Sequence, residues 1–297
     1  MNRRQFIETA TLTVAAAATL PSVAAQAEEK AKRVNWPIGC FNRPWIAEKK
    51  NWGYDVALDG IKAAGYGLTG LLTRTANEPL LGSDATPDYF AELKKKIASR
   101  GLKVNMGAVR TKNDLPLPDQ IKDMRQQIDN GKTVGVEFLL TFGVNDAKHF
   151  ENYYELMADA AAYAQERGLK LVLKPHGGDA HEMLRCLDRV KHPNFKIWFD
   201  AGNIIFYTGK DPLEQLKPIV QHVTGFCAKD CPEPKGEVMS QFGTGKVDFK
   251  AVFAKLKSVG FNGPIMVEGV KVGATAVETT ANARANREFL EKVLSSI

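Results

Sequence analysis

Four stretches of this chain end an apolar run on side chains that can do chemistry: Lys174-Pro175-His176-Gly177-Gly178, Asp200-Ala201-Gly202-Asn203, Cys227-Ala228-Lys229-Asp230, and Glu268. Arginines close three earlier runs, at Arg43, Arg74 and Arg110, the last followed by Lys112. Alternate residues of an extended strand share a face. Lys174 therefore stands on one side with His176, and Cys227 with Lys229. If Lys174, Asp200, Cys227 and Glu268 all face one mouth, a lysine and two carboxylates converge there. Such a group reads in two ways. It is an ion-paired cluster that fills the mouth, or it is an acid/base or metal site.

The elements that must position these residues follow one rhythm. Short β-branched apolar runs alternate with helical patterns. Strands are expected at Ile38–Phe41, Leu68–Thr73, Val104–Val109, Glu137–Phe142, Leu171–Lys174, Lys196–Asp200, Val223–Ala228 and Pro264–Glu268. Helices are expected at Tyr54–Gly65, Pro87–Arg100, Asp119–Asn130, Glu151–Arg167, Ala180–Val190, Asp211–Val220, Asp248–Val259 and Ala281–Ser295. Thr86-Pro87 is an N-cap followed by proline at the first helical position. Glycines such as Gly101 and Gly168 stand where a helix turns into the next strand. Eight strand–helix units of this length make an α/β fold, a closed (β/α)8 TIM barrel, with its active site at the C-terminal strand ends. The rival, an open doubly wound sheet, would not give eight even units.

Composition sets the outer bounds. The chain has 297 residues, 44% hydrophobic and 25% charged, as in an ordinary globular protein. Its net charge of +6 is a mild excess that does not argue for nucleic acid. The start carries Arg3-Arg4, a weakly apolar run from Ala10 to Leu20, and a small-residue pattern at Ala25-Gln26-Ala27. That is the layout of a twin-arginine export signal cleaved near Ala27. Residues 1–27 are thus expected to be an address, and residues 28–297 a single periplasmic domain. No stretch reaches the length of a stable membrane span. Several motifs fail on context. Gly65-Tyr66-Gly67-Leu68-Thr69-Gly70 follows a helix and enters a strand, the reverse of a dinucleotide fingerprint. Gly243-Thr244-Gly245-Lys246 lacks the spacing of a phosphate loop and reads as a turn before a helix. Cys227 and Cys231 lack a second ligand pair for structural zinc.

Phe199-Asp200-Ala201-Gly202-Asn203, Ala228-Lys229-Asp230, Gly243-Thr244-Gly245-Lys246-Val247-Asp248-Phe249 and Phe261-Asn262-Gly263-Pro264-Ile265-Met266-Val267-Glu268 together resemble the sugar phosphate isomerase/epimerase family. This is the xylose isomerase-like TIM barrel group, with ketose 3-epimerases, inosose dehydratase and endonuclease IV. The resemblance covers the whole chain beyond the leader and is most specific over the last third. It implies a divalent metal (Mn, Co, Zn or Fe) held by Glu, Asp, His and Glu from strands five to eight. Asp200 and Glu268 match two of these. Lys174 stands where the first Glu is usual, and Cys227 where the His is usual. His176 is then a shifted ligand candidate, and a Cys227 thiolate a soft one. The alternative is a metal-free site in which Lys174 supplies part of the cation's charge.

The expectation is an exported enzyme acting on a small-molecule sugar or polyol, with a keto sugar or keto glycoside as candidate substrate. It removes a proton next to a carbonyl, then isomerises, epimerises or eliminates. Glu268 is the expected base. Lys174 is the expected enediolate stabiliser or acid. His176 and Lys229 are expected to bind hydroxyls or carry a proton, with Asn203, Arg43, Arg74 and Arg110 binding the substrate's polar end. Two rivals remain: a Schiff-base aldolase or lyase using Lys174, and a non-catalytic carbohydrate-binding protein. With only five histidines in the chain, a multi-zinc DNA-repair site is set aside.

Overall fold

The computed structural model describes residues 34–46 and 50–297. The expected leader, with Arg3, Arg4 and Ala27, lies outside the described residues. Val34–Ile297 forms one compact unit.

Eight parallel strands close into a barrel in chain order. They are β1 (Ile38–Phe41), β2 (Leu68–Leu71), β3 (Lys103–Ala108), β4 (Phe138–Thr141), β5 (Lys170–Leu173), β6 (Phe195–Asp200), β7 (Val223–Ala228) and β8 (Ile265–Val267). Closure is direct, with Ile38 opposite Ile265 and Cys40 opposite Val267. Parallel strands buried on both faces need apolar residues on both, and the interior face is filled by Phe41, Met106, Phe138, Leu140, Val172, Trp198, Cys227 and Met266. Gly225 exists to admit Trp198, whose ring would lie 2.1 Å from a Cβ at that position. Trp198 packs edge-on against Phe138 with centroids 5.1 Å apart, so the barrel is plugged rather than open.

Ten α-helices wrap the barrel among the described residues: α1 (Arg43–Ile46), α2 (Tyr54–Ala63), α3 (Pro87–Ser99), α4 (Leu117–Val134), α5 (Phe150–Glu166), α6 (Ala180–Val190), α7 (Ala201–Thr208), α8 (Pro212–Leu216), α9 (Phe249–Ser258) and α10 (Ala276–Ser295). Thr86 caps α3 by accepting from the Tyr89 N–H. Asp179 and Glu182 form a capping box on α6.

The expected elements all exist, with shifted ends. The helix expected over Asp211–Val220 stops as α8 at Leu216 and continues as a 3-10 turn, Lys217–His222. Pro218 explains this, because it lacks the N–H an α-helix needs. The last helix starts at Ala276 rather than Ala281, because Thr275 caps it through the Glu278 N–H. Two helices were not expected, α1 and α7. Each follows its strand almost without a loop.

Candidate active site

The strand ends deliver the reactive side chains to one place. Lys174 lies just past β5, yet its N–H still bonds to the Thr141 carbonyl at 2.9 Å, and the His176 N–H to Phe142 at 3.0 Å. The extended backbone therefore continues, and both side chains turn inward. Asp200 ends β6 and also caps α7, its Oδ1 accepting from the Asn203 N–H at 2.9 Å. This leaves Oδ2 for the barrel mouth. Asn42, fully buried, ties β1 to β2: it accepts from Leu72 and Thr73 and donates to the Thr73 carbonyl. That tie fixes the start of α1 and so the position of Arg43.

Five charged groups form one network. Lys229 Nζ has three acceptors, matching its three N–H bonds: Asp200 Oδ2 at 3.1 Å, Asn203 Oδ1 at 2.8 Å and Glu268 Oε1 at 2.9 Å. Arg43 Nη1 reaches the same Oε1 at 2.6 Å. Lys174 Nζ contacts the other oxygen of Glu268, lies 3.4 Å from Asp200 Oδ2, and lies 3.9 Å from Cys227 Sγ. Cys227 donates to Glu268 Oε2 at 3.1 Å. The stem of Lys229 passes between two glycines. A Cβ on Gly202 would lie 2.8 Å from its Cγ, and one on Gly269 would lie 3.2 Å away.

Burial and charge set the protonation states. Burial alone would raise the Glu268 carboxyl, but Lys174, Lys229 and Arg43 together hold it well below the usual carboxylate range. Burial would lower Lys229, and the Asp200 and Glu268 carboxylates more than reverse this, so the ammonium keeps its proton. The Cys227 thiol is pushed well up, first by burial and then by the same two carboxylates. It is therefore a thiol, not a thiolate. His176, beside Phe142 and stacked on Tyr207 at 5.8 Å, is pushed down to about 3 by burial and the charge of Lys174. Its imidazole is neutral at neutral pH.

Above the network lies a cavity of about 430 Å³. Arg43, Arg74, Arg110, His176, Asn203, Lys229 and Glu268 line it, with Phe142, Phe206 and Tyr207 as the apolar wall. This volume falls in the range of small-ligand sites. Every residue expected at the substrate is present except one. Lys174 is fully buried and lies beneath the floor, with Asp200 and Cys227. The lysine that reaches the cavity is Lys229. Both lysines are held by the Asp200 and Glu268 carboxylates.

Asp200, Cys227 and Glu268 do place three ligand-type atoms within 4.8 Å of one another. His176 is not in that group. Two residues of strand carry it about 7 Å further toward the mouth, where it meets Tyr207. The ammonium of Lys174 stands against all three ligand atoms. Two carboxylates face three cations, Lys174, Lys229 and Arg43, so the network carries a net positive charge before any metal is added. A divalent cation does not fit this donor set while Lys174 is charged.

Sequence reasoning passed over Tyr207, Phe142, Asn42 and the real task of the glycine loop. Asp230, fully buried, accepts backbone N–H groups from Cys231, Gly243, Gly245 and Val247. The loop that looks like part of a phosphate cradle thus holds the chain's own carboxylate. All four cysteines are free thiols.

The sequence matches the protein family described as Xylose isomerase-like TIM barrel over residues 58–293. An inosose dehydratase from Clostridium perfringens is 27% identical over 151 residues, which is 44% of this chain and 50% of that protein. This chain thus spans about half the length of the curated relatives it matches. Among solved structures, a D-psicose 3-epimerase with D-tagatose from Clostridium cellulolyticum superposes with a TM-score of 0.69 at 14% identity, over 87% of this chain and 99% of that one. A xylose isomerase-like TIM barrel protein from Mycobacterium smegmatis in complex with magnesium gives 0.68 at 16% identity, over 88% and 97%. At such identities these structures establish the shared fold.

Proposed function

The chain belongs to the xylose isomerase-like TIM barrel family, and from that premise we propose that it is a sugar isomerase, epimerase or dehydratase that removes a proton next to a carbonyl. The observation that carries this reading is the shared oxygen of Glu268. Its Oε1 accepts from both Lys229 and Arg43 at the floor of the cavity, where barrel enzymes place their chemistry. A sugar carbonyl seated there meets one carboxylate and two fixed cations.

Glu268 takes the proton from the carbon next to the carbonyl. Lys229 and Arg43 stabilise the negative charge that develops on the carbonyl oxygen, in a site that excludes bulk water. Lys174 and Cys227 stay beneath and hold Glu268 Oε2, so that Oε1 faces the substrate. His176, neutral, donates to or accepts from a substrate hydroxyl, and Tyr207 orients it. Returning the proton to the former carbonyl carbon, while the adjacent hydroxyl passes its own proton to the former carbonyl oxygen, isomerises the sugar. Returning it to the other face of the same carbon epimerises, and departure of a β-hydroxyl with the proton that Glu268 has taken eliminates water. The Clostridium relative's dehydratase activity supports the last of these.

The reading also retains export through Arg3-Arg4, which fits a keto sugar or keto glycoside better than an intracellular metabolite. Cell fractionation checks it. Replacing both arginines with lysine should keep the protein in the cytoplasm, and unchanged export would remove the twin-arginine assignment.

The activity is tested by hydrogen exchange into sugars in deuterium oxide, followed by NMR over a panel of ketoses, keto glycosides, keto sugar acids and ketose phosphates. Exchange at the carbon next to the carbonyl is common to all three outcomes, so the assay does not presuppose the product. Wild type should exchange at least one sugar, and Glu268→Gln should lower that rate about a thousandfold or more. Sugar binding without exchange across the panel would leave a carbohydrate-binding protein. Full exchange by Glu268→Gln would remove Glu268 from the mechanism.

A further inference from the structure

Four cations line the cavity, Arg43, Arg74, Arg110 and Lys229, against one carboxylate, Glu268. Two of the four are already matched, since Arg43 and Lys229 both pair with Glu268. The other two are not. Among the described residues neither Arg74 nor Arg110 forms an ion pair with a carboxylate. Arg74 gives one hydrogen bond to a neutral acceptor, from Nη2 to Gln127 Oε1 at 3.2 Å, and its buried Nε has no partner. Arg110 gives one from Nη2 to the Leu72 carbonyl at 3.0 Å. A guanidinium has five N–H donors, so most of this capacity is unused.

Both arginines are nevertheless held in place. Buried Gln127 accepts from the Arg110 backbone N–H at 2.9 Å as well as from Arg74, and donates back to the Arg110 carbonyl at 2.9 Å. The Arg110 guanidinium lies 4.2 Å over the Phe142 ring. Burial and the charge of Arg74 push Arg110 down to about 10. Asp84 and Asp123 act on Arg74 only from beyond ion-pair distance. Two like charges fixed together in a half-buried wall cost stability, and a bound anion would reverse that cost.

We propose that Arg74 and Arg110 form a subsite for an oxyanion carried by the substrate, so that the sugar is an acid or a phosphate ester rather than a neutral ketose. The subsite sits at the ends of β2 and β3, two and three strands round the barrel from Glu268 at the end of β8. The oxyanion docks there while the carbon to be deprotonated lies at Lys229 and Glu268. This rests on the reading of the mouth as a sugar site.

The test is calorimetric titration of the wild-type protein with D-glucose, D-glucuronate and glucose phosphorylated at its terminal carbon. The two anions should bind at least about tenfold tighter than glucose, and salt should reduce that advantage. Arg110→Ala should erase the tenfold preference, so that both anions bind the variant no tighter than glucose does. Arg74→Gln is the second variant, should loss of Arg110 loosen the β2–β3 end. A preference for glucuronate identifies a carboxylate, and a preference for the phosphate ester a phosphate. Equal affinity for all three probes, unchanged in both variants, would overturn the subsite. Anion binding that depends on these arginines, without exchange of any sugar proton, would keep the subsite and sink the proposed activity. Exchange of neutral ketoses that ignores both arginines would do the reverse.

Discussion

Replacing Lys174 with glutamate should turn this network into a metal site. Its Nζ lies 3.4 Å from Asp200 Oδ2 and 3.9 Å from Cys227 Sγ, and it touches Glu268. A divalent ion seated among those atoms would lie about 4 Å from the ammonium, where two unit charges interact by ~4 kcal/mol at an effective dielectric of 20. The double charge makes the repulsion about 8 kcal/mol, or between five and six decades in affinity. In Lys174→Glu the network changes from two carboxylates against three cations to three carboxylates against two. The assay is calorimetric titration with Mn²⁺, backed by elemental analysis of protein purified without chelator. Wild type should show no saturable binding below about 1 mM, and Lys174→Glu should bind one equivalent at least a hundredfold tighter. Lys174→Met, which removes the charge without adding a ligand, should fall between them. Wild-type protein that carries one equivalent of metal, lost in Asp200→Ala, would refute the reasoning, because Lys174 would then have to swing clear of the ligand atoms.

Three further outcomes follow from single features. Asp230→Ala leaves four backbone N–H groups without their acceptor and should lower unfolding stability by about 3 kcal/mol or more, read from a urea transition. Gly202→Ala places a Cβ 2.8 Å from both the Cγ and the carbonyl oxygen of Lys229; it should cost about 1–3 kcal/mol and slow turnover more than tenfold by displacing the ammonium. Acid titration should separate two windows. His176 is near 3 when folded, against 6.5 unfolded, so the unfolded chain binds its proton first. Stability is therefore intact above pH 6.5 and falls by up to about 1.4 kcal/mol per pH unit below it. Glu268, depressed in the fold, contributes stability above its unfolded value and loses it only as pH falls further. Between pH 6.5 and 4.5, His176→Asn should flatten the curve. A slope there unchanged from wild type would show that His176 takes up protons in the folded state.

The barrel was legible because its signals are local. Short β-branched apolar runs, the Thr86-Pro87 cap and the glycines that end helices need only a few neighbouring residues each. Helix α7 was not legible, because it is only eight residues long and its apolar residues Ile204-Ile205-Phe206 stand together without a helical period. Strand ends placed Lys174, Asp200, Cys227 and Glu268 as candidates for one mouth, and their convergence was a condition that alternation within each strand could not decide. Nor could it decide their depth. Whether Lys174 or Lys229 meets the substrate depends on the stagger of β5 against β7, which is set by pairing across the barrel. The same two-residue step that puts His176 on the side of Lys174 also lifts it out of reach of the ligand group. Gln127 and Tyr207 carry no sequence signal at all. One is a helix glutamine and the other a helix tyrosine, and only the closed barrel brings them to the mouth.

A carboxylate held far below its usual range is a poor base at rest, and this bears directly on Glu268. The resolution lies in which groups depress it. Lys174, the strongest of the three, holds the far oxygen, while Lys229 and Arg43 bond to the oxygen that faces the cavity, so two of the three groups that weaken the base are placed to stabilise the product of its action. In the proposed mechanism, charge building on the substrate oxygen would draw these two cations to it. Glu268 would then lose part of the field that lowers it and gain basicity as the proton is transferred. Lys174 and Cys227 hold the far oxygen throughout, so the carboxylate does not rotate to follow its partners. A divalent ion bound to Glu268 could polarise a carbonyl, but as a fixed ligand partner it would keep the carboxylate's charge tied up. Two ammoniums and a guanidinium divide the two tasks between the buried side of Glu268 and its open side. In the proposed mechanism the cation beneath the floor positions the base, and the two cations that line the floor are shared with the sugar.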